Sequence, residues 1–143
     1  MKKDADISNG LTFIFGISRL GASIASLFNE KNIDVIAIDK HETAFNKLSE
    51  SFGGAQIVGD ILDSDFLLEN DIENAKRVII VTEDDNVNIL AAHICHSIFK
   101  IPHIYLRLND YAKADLFKDT PIKAFFPFIL SKNDLIAMLG EEK

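Results

Sequence analysis

Phe13-Ile14-Phe15-Gly16-Ile17-Ser18-Arg19-Leu20-Gly21 carries the clearest chemical pattern in the chain: an apolar run enters a glycine turn and continues into an amphipathic stretch. Without a Cβ, Gly16 permits the tight turn, and Gly21 lets the following helix lie close on the strand. The helix tip then offers free N–H groups and the positive end of its dipole, a cradle for an anion such as a phosphate. Ser18 stands where the G-x-G-x-x-G pattern has its middle glycine, the point of closest backbone approach to a pyrophosphate. A serine there either crowds a dinucleotide or adds a hydroxyl donor to a phosphate.

A glycine turn is a weak signal alone, and the second test is an acid ending the next strand about 20 residues on. Asp39, which closes Val35-Ile36-Ala37-Ile38, meets it. Its carboxylate would accept hydrogen bonds from ribose 2′- and 3′-hydroxyls and repel a 2′-phosphate, favouring NAD or an adenine mononucleotide over NADP. Other phosphate chemistries fail early: no G-K-[ST] follows the turn, and no acidic pair ends the first strand. His93, Cys95, His96 and His103 lie close in sequence, with His93 and His96 on one helical face. Zinc sites use four ligands at cleaner spacing, so these read as helix-surface histidines and no metal is expected.

Positioning these groups requires a regular frame. Strands are expected over Leu11–Phe15, Asp34–Ile38, Ala55–Val58, Arg77–Val81, His103–Arg107 and Lys123–Phe126, as continuous apolar runs typical of strands buried on both faces. Helices are expected over Leu20–Lys31, Glu42–Ser51, Ser64–Asn70, Asn86–Lys100, Tyr111–Lys118 and Phe128–Leu139. In the first helix Leu20, Ile24, Leu27 and Phe28 form one stripe facing a sheet. Repeated β-α units predict an α/β fold of Rossmann type: a doubly wound, six-stranded parallel sheet in a three-layer αβα sandwich, with strand order 3-2-1-4-5-6. The expected division is a flexible segment over 1–10, the nucleotide-binding domain over 11–127, and a C-terminal crossover helix over 128–143.

Bulk properties fit this frame. The 143 residues, 48% hydrophobic and 26% charged, suit one domain with a full core. A net charge of −7, from 22 acidic and 15 basic residues, argues against nucleic acid and anionic membranes as partners. A single cysteine and a start lacking the apolar stretch of a secretory signal point to a reducing, cytoplasmic setting. No apolar run approaches the roughly 18 residues that would span a bilayer.

The motifs together resemble a family, the regulator-of-potassium-conductance (RCK) domain, also called the TrkA N-terminal (TrkA-N) domain. Its pattern reads G-x-G-R-x-G, a strand-ending Asp, V-x-G-D, a strand ending in T-x-D-D, an Asn-led helix, and a strand ending in R-x-N-D. This chain has Gly16 to Gly21 with Arg19, then Asp39, Val58-Gly59-Asp60, Thr82-Glu83-Asp84-Asp85 with Asn88, and Arg107-Leu108-Asn109-Asp110. The resemblance spans nearly all of Leu11 to Leu139. It implies that Arg19 reaches phosphate oxygens, including those of a nucleotide in a neighbouring subunit, and that Asp60 lies near the adenine. It further implies that Thr82 ends the fourth strand at the ligand crevice. Lys40, Ile61, Asn88 and Arg107 complete the candidate contacts. Phe126 to Ser131 resembles the proline-led junction of channel-associated members, where a helix crosses to a second subunit. The apolar residues of Phe128–Leu139 are too many for one stripe, so a homodimer or larger gating ring is expected. Many members continue into a second, ligand-binding lobe, so either that lobe is missing here or the chain is a stand-alone module.

Three functions are weighed. The first is a non-enzymatic regulatory domain that binds an adenine nucleotide, NAD(H), ATP, ADP or AMP, and controls a potassium channel or transporter by conformational change. It would sit in the cytoplasm at the inner face of the membrane, held by a membrane subunit or a membrane part of the same protein. The second is an NAD-dependent oxidoreductase. Against it, the six strands leave no room for a substrate domain, and neither Tyr105 nor Tyr111 is followed four residues later by lysine. The third is an assembly scaffold with a degenerate pocket, for which Ser18 is the best argument.

Overall fold

Short runs rich in β-branched and aromatic residues form six strands. In the computed structural model, which describes residues 6–142, these are β1 Thr12–Phe15, β2 Val35–Asp39, β3 Ala55–Val58, β4 Arg77–Ile80, β5 His103–Arg107 and β6 Lys123–Phe125. They pair in parallel in the order β3-β2-β1-β4-β5-β6, the predicted dinucleotide-binding arrangement. Phe15 stands between Ile38 of β2 and Ile80 of β4, so the chain leaves β1 towards one side of the sheet and later returns to the other. That reversal opens a crevice beyond the strands' carboxyl ends.

Alternation along the central strands divides the core in two. Phe13, Phe15, Val78 and Ile80 face α2 (Ser64–Glu69) and α3 (Asp85–Ser97), packing with Leu67, Ala91, Ala92 and Cys95. Ile14, Ile79 and Val81 face α1 (Arg19–Glu30), packing with Ala22, Ala25 and Phe28. Burial among the apolar residues pushes the Cys95 thiol up to about 12. The expected burial on both faces holds for β1 and β4, whose residues are all buried, and fails for β3. Ala55, Gln56 and Val58 are exposed because β3 is an edge strand with only β2 beside it.

Two expected helices are 3-10 turns. Glu42–Lys47 and Tyr111–Phe117 close with i to i−3 bonds, such as Ala44 N to His41 O at 3.0 Å and Lys113 N to Asp110 O at 3.1 Å. Such short pieces are common as connectors. The N-terminal segment expected to be flexible over 1–10 is tied down from Ser8, while residues 1–5 lie outside the described ones. Arg77 is buried, donating through Nη1 to Thr12 Oγ1 at 2.8 Å and through Nη2 to the Ser8 carbonyl at 2.6 Å. Burial lowers its pKa, with Tyr105 acting in the opposite sense, and its guanidinium lies 5.5 Å from the centre of the Phe28 ring. Lys76 Nζ adds a bond to the Asn9 carbonyl at 2.7 Å.

The last helix, α4 (Pro127–Leu139), opens on a proline whose missing N–H costs nothing in a first turn. It buries none of its residues; Phe128 and Leu130 are each 63% exposed and Met138 59%. Among the described residues no helix is long and apolar enough to cross a membrane.

Candidate functional site

The glycine turn is built by exclusion. Gly16 has φ +89°, and a Cβ there would lie 2.8 Å from the Thr82 amide nitrogen. A Cβ on Gly21 would lie 2.3 Å from the Gly16 carbonyl oxygen, so α1 sits on β1 at a distance only glycine allows. Ser18 caps α1: its hydroxyl accepts from the Gly21 amide at 3.2 Å and donates to the Val81 carbonyl at 2.9 Å. The hydroxyl's one proton is thereby engaged by β4, and Ser18 braces the turn against the sheet. Among the described residues the first-turn amides of Arg19 and Leu20 have no partner, the orphan donors expected at a helix start.

One strand away, Asp39 grips the same turn. Its Oδ2 accepts from the Ile17 amide at 2.8 Å and its Oδ1 from the His41 amide at 2.9 Å, with His41 Nδ1 3.4 Å from Oδ1. A carboxylate has about four acceptor positions, so room for two further donors remains. The turn and the carboxylate share one open cavity of about 660 Å³ between the carboxyl ends of β1, β2 and β4. Its walls include eight of the expected contacts: Gly16, Ile17, Ser18, Asp39, Lys40, Asp60, Ile61 and Thr82. Asp60 also closes its own loop by accepting from the Leu62 amide at 2.9 Å. Beside it, Gly59 leaves space for the Phe66 ring, which a Cβ would meet at 2.1 Å.

The other five expected residues lie outside the cavity wall. Gly21 is buried beneath the turn, and Leu20 packs on the core under α1. Arg19 is exposed on the outer flank, at a separate depression of about 380 Å³ shared with Ala22, Ser23, Ser26 and Lys47. Asn88 is fully buried, and its Nδ2 donates to the Thr82 carbonyl at 3.1 Å and to the Arg107 carbonyl at 2.9 Å, while its Oδ1 meets the Thr82 hydroxyl. It ties β4, β5 and α3 together. Arg107 turns to Asn109, with Nε 3.3 Å from Oδ1.

Sequence reasoning missed His41, Thr43, Lys47, Glu83 and Asp84 as cavity residues. Glu83 and Asp84 belong to a quoted motif whose first residue alone was singled out; His41, Thr43 and Lys47 lie in or beside a stretch taken for a helix. Among the described residues no group of three His, Cys, Asp or Glu side chains is placed to hold a metal ion. His93 instead stacks on Phe117, with ring centres 5.2 Å apart.

The residues present suit an adenine nucleotide. Two glycines hold backbone where any Cβ would collide, the Arg19 and Leu20 amides stand free at the tip of α1, and a carboxylate stands one strand away. Known proteins agree on the lineage. The family model for the TrkA-N domain matches residues 12–126. The chain is 32% identical over 105 residues, 73% of its length and 47% of the relative's, to the Trk system potassium uptake protein TrkA of Streptomyces coelicolor. Among solved structures, the GsuK channel bound to NAD has a TM-score of 0.79 at 22% identity, over 96% of this chain and 24% of that one. The Shewanella denitrificans Kef CTD in its AMP-bound form has a TM-score of 0.71 at 17% identity, over 92% and 83%. At those identities the two structures show the fold. The chain spans about half the length of the curated relatives it matches. A match that covers β1 through β6, laid over this glycine turn and its carboxylate, establishes that the chain belongs to the TrkA-N domain family.

Proposed function

We propose that this domain is a regulatory adenine-nucleotide sensor for a potassium channel or transporter. The observation that carries the reading is the open cavity in which the glycine turn and Asp39 meet. A phosphate would lie over the Arg19 and Leu20 amides at the tip of α1, and the ribose hydroxyls on the free acceptor positions of Asp39. Asp60 and Ile61 would border the base. A solved relative described as NAD-bound and another as AMP-bound support this ligand class, without choosing among NAD(H), ATP, ADP and AMP.

The partner is a potassium transport protein, either a separate membrane subunit or a membrane part of the same polypeptide, so the domain works at the cytoplasmic face. Names of the curated relatives support this. Regulation without catalysis is favoured because, among the described residues, the cavity wall holds no tyrosine–lysine pair for the proton transfer that accompanies hydride transfer: Asn109 and Asp115 stand four residues after Tyr105 and Tyr111. Nucleotide binding would shift an assembly between two conformations by preferring one of them. The assembly is a homodimer or a larger ring, joined through α4, whose apolar side chains lack cover within the described chain.

Thermal-shift and calorimetric titration with NAD, NADH, ATP, ADP and AMP test the reading. At least one is expected to bind and raise the melting midpoint; no binding by any at millimolar concentration would leave the domain a scaffold. Sustained hydride transfer from NADH to a substrate would make it an enzyme.

A further inference from the structure

We infer that Lys47 contacts the phosphate of the bound ligand, reaching it from the flank of the glycine turn. The inference rests on the nucleotide reading and adds a residue to it. Lys47 ends the 3-10 turn after β2, and its Nζ donates to the Ile17 carbonyl at 3.1 Å. Ile17 is thus gripped twice, its amide by Asp39 at 2.8 Å and its carbonyl by Lys47. The ammonium has three donors and spends one on that carbonyl, so two remain beside the turn.

Its position is particular. Lys47 borders both the 660 Å³ cavity and the 380 Å³ depression with Arg19, so the two hollows meet at its side chain. The main cavity is otherwise rich in carboxylates, with Asp39, Asp60, Glu83 and Asp84 in its wall. In a chain of net charge −7, a phosphate entering there meets repulsion that two backbone amides offset only in part. Lys40 also lines the cavity, but Lys47 is the lysine bonded to the turn itself. That bond fixes the ammonium where the anion must sit and screens the Ile17 carbonyl, which would repel it.

The test uses the full chain with Lys47→Gln, which removes the charge while keeping a donor for Ile17, and Lys47→Arg. Adenosine and AMP are titrated by chemical-shift perturbation of the ¹⁵N-labelled protein, and ADP by calorimetry. Loss of one charge-assisted contact should weaken AMP and ADP about tenfold in Lys47→Gln, with adenosine unchanged and most of the loss restored in Lys47→Arg. Added salt should weaken AMP less in Lys47→Gln than in the wild type. Equal losses for adenosine and AMP would make Lys47 a brace of the turn and overturn the assignment, as would no loss at all. If wild type takes none of these three, the same variants are titrated with NAD, NADH and ATP, where the same loss of about tenfold in Lys47→Gln is expected; if it takes none of those either, the nucleotide reading falls first and this inference with it.

Discussion

Replacing Asp39 by asparagine asks whether the carboxylate holds the protein's own backbone before a ligand arrives. Its two oxygens take the Ile17 amide at 2.8 Å and the His41 amide at 2.9 Å. Asparagine offers one oxygen and one NH₂ group, so one of the two backbone amides must face a donor. A hydrogen bond to a charged acceptor contributes about 1.5–3 kcal/mol, and stranding a buried amide costs about 1–3 kcal/mol. The two figures describe the same loss, and the Ile17 end of the contact is buried. A destabilisation of about 2–3 kcal/mol is therefore expected. For a chain of this size that lowers the thermal midpoint by about 4–12 °C.

Urea melts of Asp39→Asn, with Asp60→Asn as the control, measure it. Asp60 accepts a single amide, Leu62 at 2.9 Å, which an asparagine oxygen can still serve, so the control should lose under about 1 kcal/mol. Both melts should keep the wild-type m-value, since neither variant changes how much surface unfolding exposes. An Asp39→Asn protein that melts together with the control would refute the reasoning. Asp39 would then serve the ligand alone. If the loss is as large as expected, a binding defect in this variant also reports a loosened turn, so affinity must be read beside stability.

Gly21→Ala should destabilise by about 1–3 kcal/mol in urea melts, although alanine is the better helix former by about 1 kcal/mol, because the new methyl meets the Gly16 carbonyl at 2.3 Å; a melt equal to wild type would mean α1 slides off β1 freely. Cys95 has its thiol pKa raised from 9.0 to about 12. Above pH 9 the unfolded chain ionises while the native chain stays protonated, so stability should fall by about 1.4 kcal/mol per pH unit from this group. The wild type should lose more than Cys95→Ala between pH 9 and 10.5, and parallel losses would contradict the burial argument. A paired Leu135→Glu, Met138→Glu variant should run as a monomer in light scattering where the wild type runs as a dimer, since both side chains are more than half exposed on α4. A monomeric wild type at about 100 μM would remove α4 as the contact.

The sequence made the frame legible because its signals are local. An apolar run ending in glycine specifies a strand and a turn, and an acid closing the next run specifies the neighbour of that turn; six such runs fix the order of the sheet. What it hid depends on neighbours. The exposure of β3 follows from its place at the sheet edge, which the apolar run Ala55–Val58 does not reveal. Ala44, Phe45 and Leu48 lie at helical spacing, yet Glu42–Lys47 closes by 3-10 bonds, and Lys47 at its end meets the Ile17 carbonyl, a contact no local pattern reveals. Ser18 was expected either to crowd or to help a phosphate; its partner, the Val81 carbonyl, lies 63 residues away in sequence and could not be guessed.

Motif residues also divide by task once their partners are known. Asn88 and Arg107 both belong to patterned segments, and the link between them is the Asn88 amide on the Arg107 carbonyl at 2.9 Å. Asp85 repeats the logic, accepting the Asn109 amide at 2.8 Å and the Asp110 amide at 3.0 Å, with Lys113 Nζ 3.7 Å away. Loops after β4 and β5 have no ladder to satisfy their amides, so side chains must do it, and only particular residue types at particular spacings reach. Thr82 stands at the join: it lines the cavity, and its carbonyl takes the Asn88 amide. Thr82, Asn88 and the Arg107 carbonyl thus form one hydrogen-bonded link between the cavity wall and the end of β5.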